Sequence, residues 1–361
     1  MAATTQQLEK KFSSILLKWN REKNRRQMPW KGEKDPYKIW LSEIILQQTR
    51  VEQGQAYYNA FIKTFPTVQK LAKAPDEKVF KLWEGLGYYS RCRNLLHAAR
   101  YISNELKGKF PDTYESIQSL KGVGPYTAAA ISSFAFNLPY AVLDGNVFRV
   151  LSRIFGIDKP TDSTEGKKLF SQLAENLLDK KQPGIYNQAI MDFGAVICKP
   201  QSPLCSACYF KKDCVAFLTD RINELPVKEK KIKIRKRWFY YVVFEYGNEV
   251  LVNQRTQKDI WQGLYEFPLI ELPDEAAEEE ILQALKNKKW VTVKKKQTSF
   301  SPSFSQQLSH QLISGRFITV KLDKKTEPVD NWQWVGHKQL KALAFPKFMY
   351  NQLDKIDAGI Q

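Results

Sequence analysis

LKGVGPYTAAAISSF, residues 120–134, places two glycines two positions apart and then an Ala/Ser-rich stretch of helical composition. Glycine reaches φ > 0 at little cost and lets backbone N–H groups come close to an anion. The start of the helix that follows favours negative charge. Gly122 and Gly124 therefore mark a turn able to hold a phosphate at the head of a helix over Thr127–Phe136. A dinucleotide-binding fold would need a preceding strand and a third glycine, and the sequence offers neither. A helical hairpin that grips a nucleic-acid phosphate fits better.

About twenty residues further on stands Val142-Leu143-Asp144-Gly145-Asn146-Val147. Asp144 follows an apolar stretch and opens a helix, where aspartate most often serves only as an N-cap. Helical spacing of apolar residues recurs at Tyr37–Thr49, Lys78–Leu86, Asn146–Phe155, Thr164–Asp179 and Tyr186–Cys198, so residues 6–225 read as helix after helix. The composition changes around 221–237, where Lys228–Arg237 (KEKKIKIRKR) forms a basic connector. Beyond it, Trp238–Tyr246, Glu249–Gln254 and Arg316–Leu322 read as strands, interrupted by an acidic helix over Glu275–Leu285. The expected organisation is a mostly α region over 1–222, a basic linker over 223–237 and a smaller α+β domain over 238–361.

The chain has 361 residues and a formal net charge of +18, an excess that favours a polyanionic partner. No signal-peptide pattern opens it, and no run reaches the roughly 18 apolar residues of a membrane span. A soluble cytoplasmic protein with no membrane contact is expected. Four of its five cysteines, Cys198, Cys205, Cys208 and Cys214, follow the pattern C-x6-C-x2-C-x5-C. In a reducing compartment such a group holds a metal more often than disulfides. Zinc sites usually pair their ligands as two C-x2-C units, whereas iron–sulfur clusters take four thiolates from one irregular loop. By themselves the four residues admit either. Cys92 stands apart and reads as a core thiol.

The glycine hairpin, the aspartate after it and the cysteine pattern about fifty residues beyond together resemble the helix–hairpin–helix DNA glycosylases of the endonuclease III superfamily, over residues 15–225. The resemblance implies a six-helix lobe, an iron–sulfur lobe, and a [4Fe–4S] cluster on Cys198, Cys205, Cys208 and Cys214. In glycosylases that also act as lyases, the residue two after the second glycine is a lysine that forms a Schiff base with the sugar. Here it is Tyr126, which cannot do so. Glu43 sits within Trp40, Leu41, Ile44, Ile45 and Leu46, a setting that raises a carboxyl pKa and suits a general acid. Set beside Asp144, it completes the carboxyl pair that glycoside cleavage needs.

Leu46-Gln47-Gln48-Thr49 and Trp83-Glu84-Gly85-Leu86-Gly87-Tyr88-Tyr89 narrow the resemblance to the adenine DNA glycosylases, or MutY family, whose substrate is adenine opposite 8-oxoguanine. What this implies is specific. Glu43 protonates the adenine ring, and Asp144 stabilises an oxocarbenium-like sugar or bonds to it transiently. Tyr126 and Asn146 position the aspartate and the sugar. Gln48 and Tyr88 wedge into the base stack, Thr49 and Leu86 face the oxidised guanine, and Arg26 and Trp30 lie near the adenine pocket. The implied partner is double-stranded DNA carrying A:8-oxoguanine or A:G mispairs, met by a monomer at the nucleoid of a bacterium. Residues 238–361 resemble the family's Nudix-like domain through WQGLYEFP, residues 261–268, with Tyr265 in place of the usual Trp. No arginine occurs between Arg255 and Arg316, so the Arg–Glu pair of a working Nudix hydrolase is missing. The short loop that reads 8-oxoguanine is best matched by Leu308-Ser309-His310, with Phe304-Ser305-Gln306 as the alternative.

Overall fold

The computed structural model describes residues 5–229, 233–288, 290, 297–329 and 331–357, which leaves the middle of the basic connector outside the described residues. The chain forms two compact units, Met1–Lys73 with Asn94–Lys230, and Ala74–Arg93 with Lys231–Gln361. Its helices are α1 (Thr5–Lys23), α2 (Pro36–Leu46), α3 (Val51–Thr64), α4 (Val68–Ala72), α5 (Asp76–Trp83), α6 (Ser90–Asn104), α7 (Tyr114–Gln118), α8 (Pro125–Phe136), α9 (Gly145–Phe155), α10 (Thr164–Leu177), α11 (Pro183–Val196), α12 (Val215–Leu218), α13 (Glu278–Lys288), α14 (His337–Leu340) and α15 (Tyr350–Asp357). The strands are β1 (Arg235–Tyr246), β2 (Glu249–Gln254), β3 (Tyr265–Glu266), β4 (Leu269–Leu272), β5 (Thr298–Phe300), β6 (Phe304–Gln307), β7 (Gln311–Lys321) and β8 (Trp332–Gly336).

Helix α8 is the axis of the first unit. Every residue from Thr127 to Ser133 is buried, so a helix apolar on all sides is covered on all sides. Pro125 at its first position has no N–H to leave unpaired, and Asn137 ends it in the left-handed region with φ +53°. The turn before it divides the work of the two glycines. Gly122 has φ +84°, which a side chain would strain, and a Cβ there would come within 2.7 Å of Asn94. Gly124 is extended at φ −92° and opens onto free space. Helix α9 has one apolar face, with Val147, Val150, Leu151 and Ile154 buried against α1, α10 and α11 in one core. Asp144 caps its start, and Gly156, φ +68°, closes its end.

In the second unit β1 is the central strand. It pairs in parallel with β7 along its whole length, Arg235 opposite Gln311 through Glu245 opposite Lys321, and antiparallel with β4 and β2. Its six residues Phe239–Phe244 are all buried, as expected of a strand covered on both faces. Tyr240, Val242 and Phe244 pack with Ile281 and Leu285 of α13. Phe239 and Tyr241 meet an aromatic cluster that includes Trp261, Phe304, Phe317 and Phe348. Strand β1 starts at Arg235, inside the stretch expected as connector. The cause is Arg237, whose buried guanidinium forks onto both Asp259 oxygens at 2.8 Å and both Glu271 oxygens at 2.7 Å. Such bidentate pairs hold the strand end in one register.

Candidate active site

Glu43 lies on the last turns of α2, a helix opened by the Asp35 cap and Pro36 and buried from Ile39 to Ile45. Its residue is only 7% exposed, which is rare for a carboxyl. Burial pushes its pKa up to about 7; a hydrogen bond with Tyr126 opposes this, and the charge of Asp144 adds to it. Asp144 is the α9 N-cap. Its Oδ1 accepts from the backbone N–H of Asn146 at 2.9 Å and of Val147 at 2.8 Å, and its Oδ2 accepts from Asn146 Nδ2 at 2.8 Å. Burial raises its pKa as well, while these bonds and the nearby Arg149 pull it back down. Both readings of Asp144 thus hold together: it caps the helix, and it presents a carboxyl to a cleft.

That cleft has a volume of about 460 Å³ and lies wholly within the first unit. Glu43, Tyr126, Asp144, Asn146, Arg26, Trp30, Gln48 and Thr49 all line it, so the sequence-predicted residues of this unit converge, joined by Met28, Gln188 and Met191. Tyr126 stands on the first turn of α8, its hydroxyl 3.4 Å from Met191 Sδ. Gln48 follows the end of α2 with φ +58°, an uncommon conformation for a non-glycine residue and one found at functional sites. Gly122 and Gly124 form the exposed turn that leads into α8.

Helix α9 also ties this cleft to the cysteine loop. Arg149 donates from Nη2 to Asn146 Oδ1 at 2.8 Å and to Gly194 O at 2.7 Å, and from Nε to Cys198 O at 2.7 Å. The backbone of α11 passes so close to Asn146 that a Cβ on Gly194 would lie 2.7 Å from Asn146 Cβ. One turn on, Arg153 donates to Lys199 O at 2.7 Å, Pro200 O at 3.1 Å and the Cys198 sulfur at 3.6 Å.

Between Cys208 and Cys214 the loop inserts Phe210, fully buried and stacked on Phe12 at 4.9 Å. Burying such a ring stabilises the loop by roughly 2 kcal/mol. The Tyr209 hydroxyl donates to Glu22 at 2.8 Å, and Asp213 pairs with Lys11 at 2.8 Å, so α1 holds the loop from outside. Burial pushes up the pKa of Cys198, Cys208 and Cys214, and the Cys214 thiol donates to Arg153 O at 3.3 Å. Among the described residues no group of three or more Cys, His, Asp or Glu stands close enough to hold a single metal ion. Cys92 is fully buried on α6.

Within the second unit, Tyr88 has φ +47° and is 41% exposed, whereas Leu86 is buried. The Tyr88 hydroxyl and the Ser309 hydroxyl are hydrogen-bonded to each other. Ser309 and His310 are exposed at the turn between β6 and β7, and with Tyr88, Trp261 and Arg93 they line a cleft of about 440 Å³. Phe304 is half-buried in the aromatic cluster, stacked on Phe348 at 4.6 Å; Leu308 is half-buried as well, and Ser309 and His310 are exposed.

Sequence reading missed Arg149, Asp192 and Gln188. The signal for the first was present: a cation on the inner side of an amphipathic helix, three residues after Asn146. The signal for Asp192 was a lone carboxyl in the apolar run AIMDFGAV.

Residues 41–176 match the HhH-GPD superfamily of base excision DNA repair proteins, and residues 239–355 match the NUDIX domain. An adenine DNA glycosylase of Buchnera aphidicola subsp. Baizongia pistaciae is 37% identical over 258 residues, 71% of this chain and 73% of that one. The Homo sapiens adenine DNA glycosylase is 43% identical over 214 residues, 57% of this chain and 39% of its own. Among solved structures, a thermostable thymine-DNA glycosylase superposes over 60% of this chain and all of its own, with TM-score 0.55 and 30% identity. A non-covalent endonuclease III–DNA complex, 19% identical, covers 60% of this chain and 99% of its own with TM-score 0.51, and shares the fold. No described helix is long and apolar enough to cross a membrane. With a buried glutamate and a capping aspartate facing one cleft in a helical unit of this fold, and with a relative 37% identical along 73% of its length, the chain belongs to the adenine DNA glycosylase family.

Proposed function

We propose that this chain is a monofunctional adenine DNA glycosylase that hydrolyses the N-glycosidic bond of adenine paired with 8-oxoguanine or guanine. The observation that carries the proposal is the pairing in one cleft of Glu43, held near pKa 7 by burial, with Asp144, ringed by N–H donors. Glu43 gives its proton to the adenine ring. The glycosidic bond then breaks with its electron pair leaving on the neutralised base, and the sugar becomes an oxocarbenium ion. Asp144 faces that cation with its negative charge while Tyr126 and Asn146 hold the aspartate and the sugar in place. Water adds to the sugar carbon and loses a proton to a carboxylate, leaving free adenine and an abasic site. No lysine occupies the Tyr126 position, so no Schiff base forms and the strand stays intact.

The base must leave the duplex to be reached, at a cost of roughly a few kcal/mol. Gln48 and Tyr88 fill the gap in the stack, and both hold left-handed backbone conformations. Arg26 and Trp30 wall the adenine pocket, Thr49 and Leu86 face the lesion, and Ser309 and His310 read its oxidised edge. Gly122 and Gly124 hold a phosphate at the head of α8. The first unit then carries the glycosylase chemistry, the linker gives way to β1 at Arg235, and the second unit carries the lesion-reading residues. The enzyme works as a monomer on double-stranded DNA in the cytoplasm.

The family resemblance and the donor set both favour a [4Fe–4S] cluster on Cys198, Cys205, Cys208 and Cys214. A cubane spreads its thiolates over four iron corners, so it takes sulfurs farther apart than a single ion does. The Cys198 sulfur accepts from Arg153 Nη1 and the Cys214 thiol meets the Arg153 carbonyl, so α9 holds both ends of a four-thiol loop whose donor set suits such a cluster. Bound there, the cluster supplies structure, and Arg149 and Arg153 transmit its position to α9. Cys198→Ser is expected to lower iron per chain below the parent value and to weaken duplex binding; full iron and parent affinity would remove Cys198 from the ligand set.

Incubation with a duplex carrying A:8-oxoguanine tests the reaction. Free adenine should appear, and strand breaks only after alkali. Breaks without alkali would instead make the enzyme a lyase.

A further inference from the structure

The connection between α1 and α2, residues 24–35, has no regular structure beyond a turn at 29–32. Such a segment has no ladder of its own, so other groups must fix it. One carboxylate does so. Asp192 of α11 is fully buried. Its Oδ1 accepts from Arg26 Nη1 at 2.8 Å and Gln188 Nε2 at 3.0 Å, and its Oδ2 accepts from Asn24 Nδ2 at 2.8 Å and Lys31 Nζ at 3.0 Å. Two further bonds close the arc on itself: Lys31 Nζ donates to Arg26 O at 2.8 Å, and Arg26 N donates to Asn24 Oδ1 at 3.0 Å. Both ends of Asn24–Lys31 therefore meet at the same carboxyl.

Met28 and Trp30 lie inside this arc, and both line the Glu43–Asp144 cleft. Trp30 is in turn braced edge-on against Tyr58 at 5.3 Å between ring centroids. We propose that Asp192 is a positioning residue for base release, stapling the 24–31 arc so that it forms one rigid wall of the cleft. A carboxylate removed from water is costly unless cations and N–H donors meet it, so a helix that only needed packing here would carry an apolar residue. Four converging donors instead make it a fixed point from which an irregular segment is hung. Gln188, one helical turn before it, has its amide N–H committed to the same carboxyl and lines the same cleft.

The inference rests on the glycosylase function proposed above. It is tested by single-turnover release of adenine from an A:8-oxoguanine duplex at saturating enzyme, beside the affinity for the same duplex carrying an uncleavable adenine analogue and the thermal midpoint. A displaced wall should cost Asp192→Asn roughly 10–100-fold in rate while its dissociation constant stays within about threefold of the parent. Asp192→Glu keeps the charge and should recover part of the rate. Lys31→Met cuts one end of the arc without emptying the buried site and should lose roughly 3–10-fold. A parent rate in Asp192→Asn, or rate and affinity falling together, overturns the proposal. If Asp192→Asn does not fold, a parent rate in Lys31→Met overturns it alone. Failure of the unmodified enzyme to release adenine would overturn the function beneath it.

Discussion

Glu43→Gln is expected to slow adenine release by roughly 10²–10⁴-fold, the range that a positioned proton donor contributes. Glutamine keeps the shape of the side chain and removes only the proton. The parent enzyme should keep its rate below neutral pH and lose it as pH rises through about 7, where burial has moved the Glu43 pKa. The variant should lack that limb, so the rate ratio is largest on the acidic side and narrows above it. Single-turnover rates from pH 5 to 9 check both statements, and an unchanged profile in the variant would assign the acid elsewhere.

The same shift has a consequence for stability with a definite sign. Between the ordinary 4.5 and about 7, the folded protein keeps a proton on Glu43 that the unfolded chain has released. Stability contributed by this group is therefore fully present below pH 4.5 and is lost as pH climbs through that window. Glutamine cannot ionise, so Glu43→Gln should be more stable than its parent at pH 8, by up to roughly 3 kcal/mol, and nearly equal at pH 4. Denaturant unfolding at the two pH values reads this directly. An enzyme that gains stability while losing rate would show that the acid is maintained against the fold's own preference.

Asp144→Asn is expected to lower the rate of base release by roughly 10²–10³-fold and to leave the fold intact. The reason lies in the double use of the side chain. Asparagine caps a helix about as well as aspartate, so the bonds to the backbone of Asn146 and Val147 persist and the thermal midpoint should move little. What disappears is the charge opposite the developing cation. Asp144→Ala should lose both, with a further penalty of roughly 1 kcal/mol in stability for the lost cap. If Asp144→Asn kept more than about a tenth of the parent rate, the cation would be stabilised by another group.

Much of the candidate site was legible because its signals are local. Glu43 stands out as a lone carboxyl in an apolar helix, and Asp144 as a cap before a strongly one-faced one. The helix spans were legible for the same reason, since Pro36, Pro125, Pro183, Asn137 and Gly156 set start and stop chemistry within a few residues of each boundary. The two glycines of the hairpin looked equivalent in sequence. Only backbone angles show that Gly122 alone needs the left-handed region. Phe304 and Leu308 are alternatives for the aromatic position of one loop; the structure stacks Phe304 on Phe348 and leaves both side chains half-buried.

Sequence alone determined that the chain is largely helical and then β-rich, that four cysteines share one loop, and that a tyrosine replaces the lyase lysine. Each of these is a matter of residue type and short spacing. Tertiary structure decided that Glu43 and Asp144, 101 positions apart in number, share one cleft. It also decided that Arg149 reaches from Asn146 to Cys198, and that Asp192 gathers Asn24, Arg26 and Lys31. The physical reason is common to all three. A charge can be buried only where its partners also come, and the partners are brought by packing between helices distant in the chain, which no local pattern encodes.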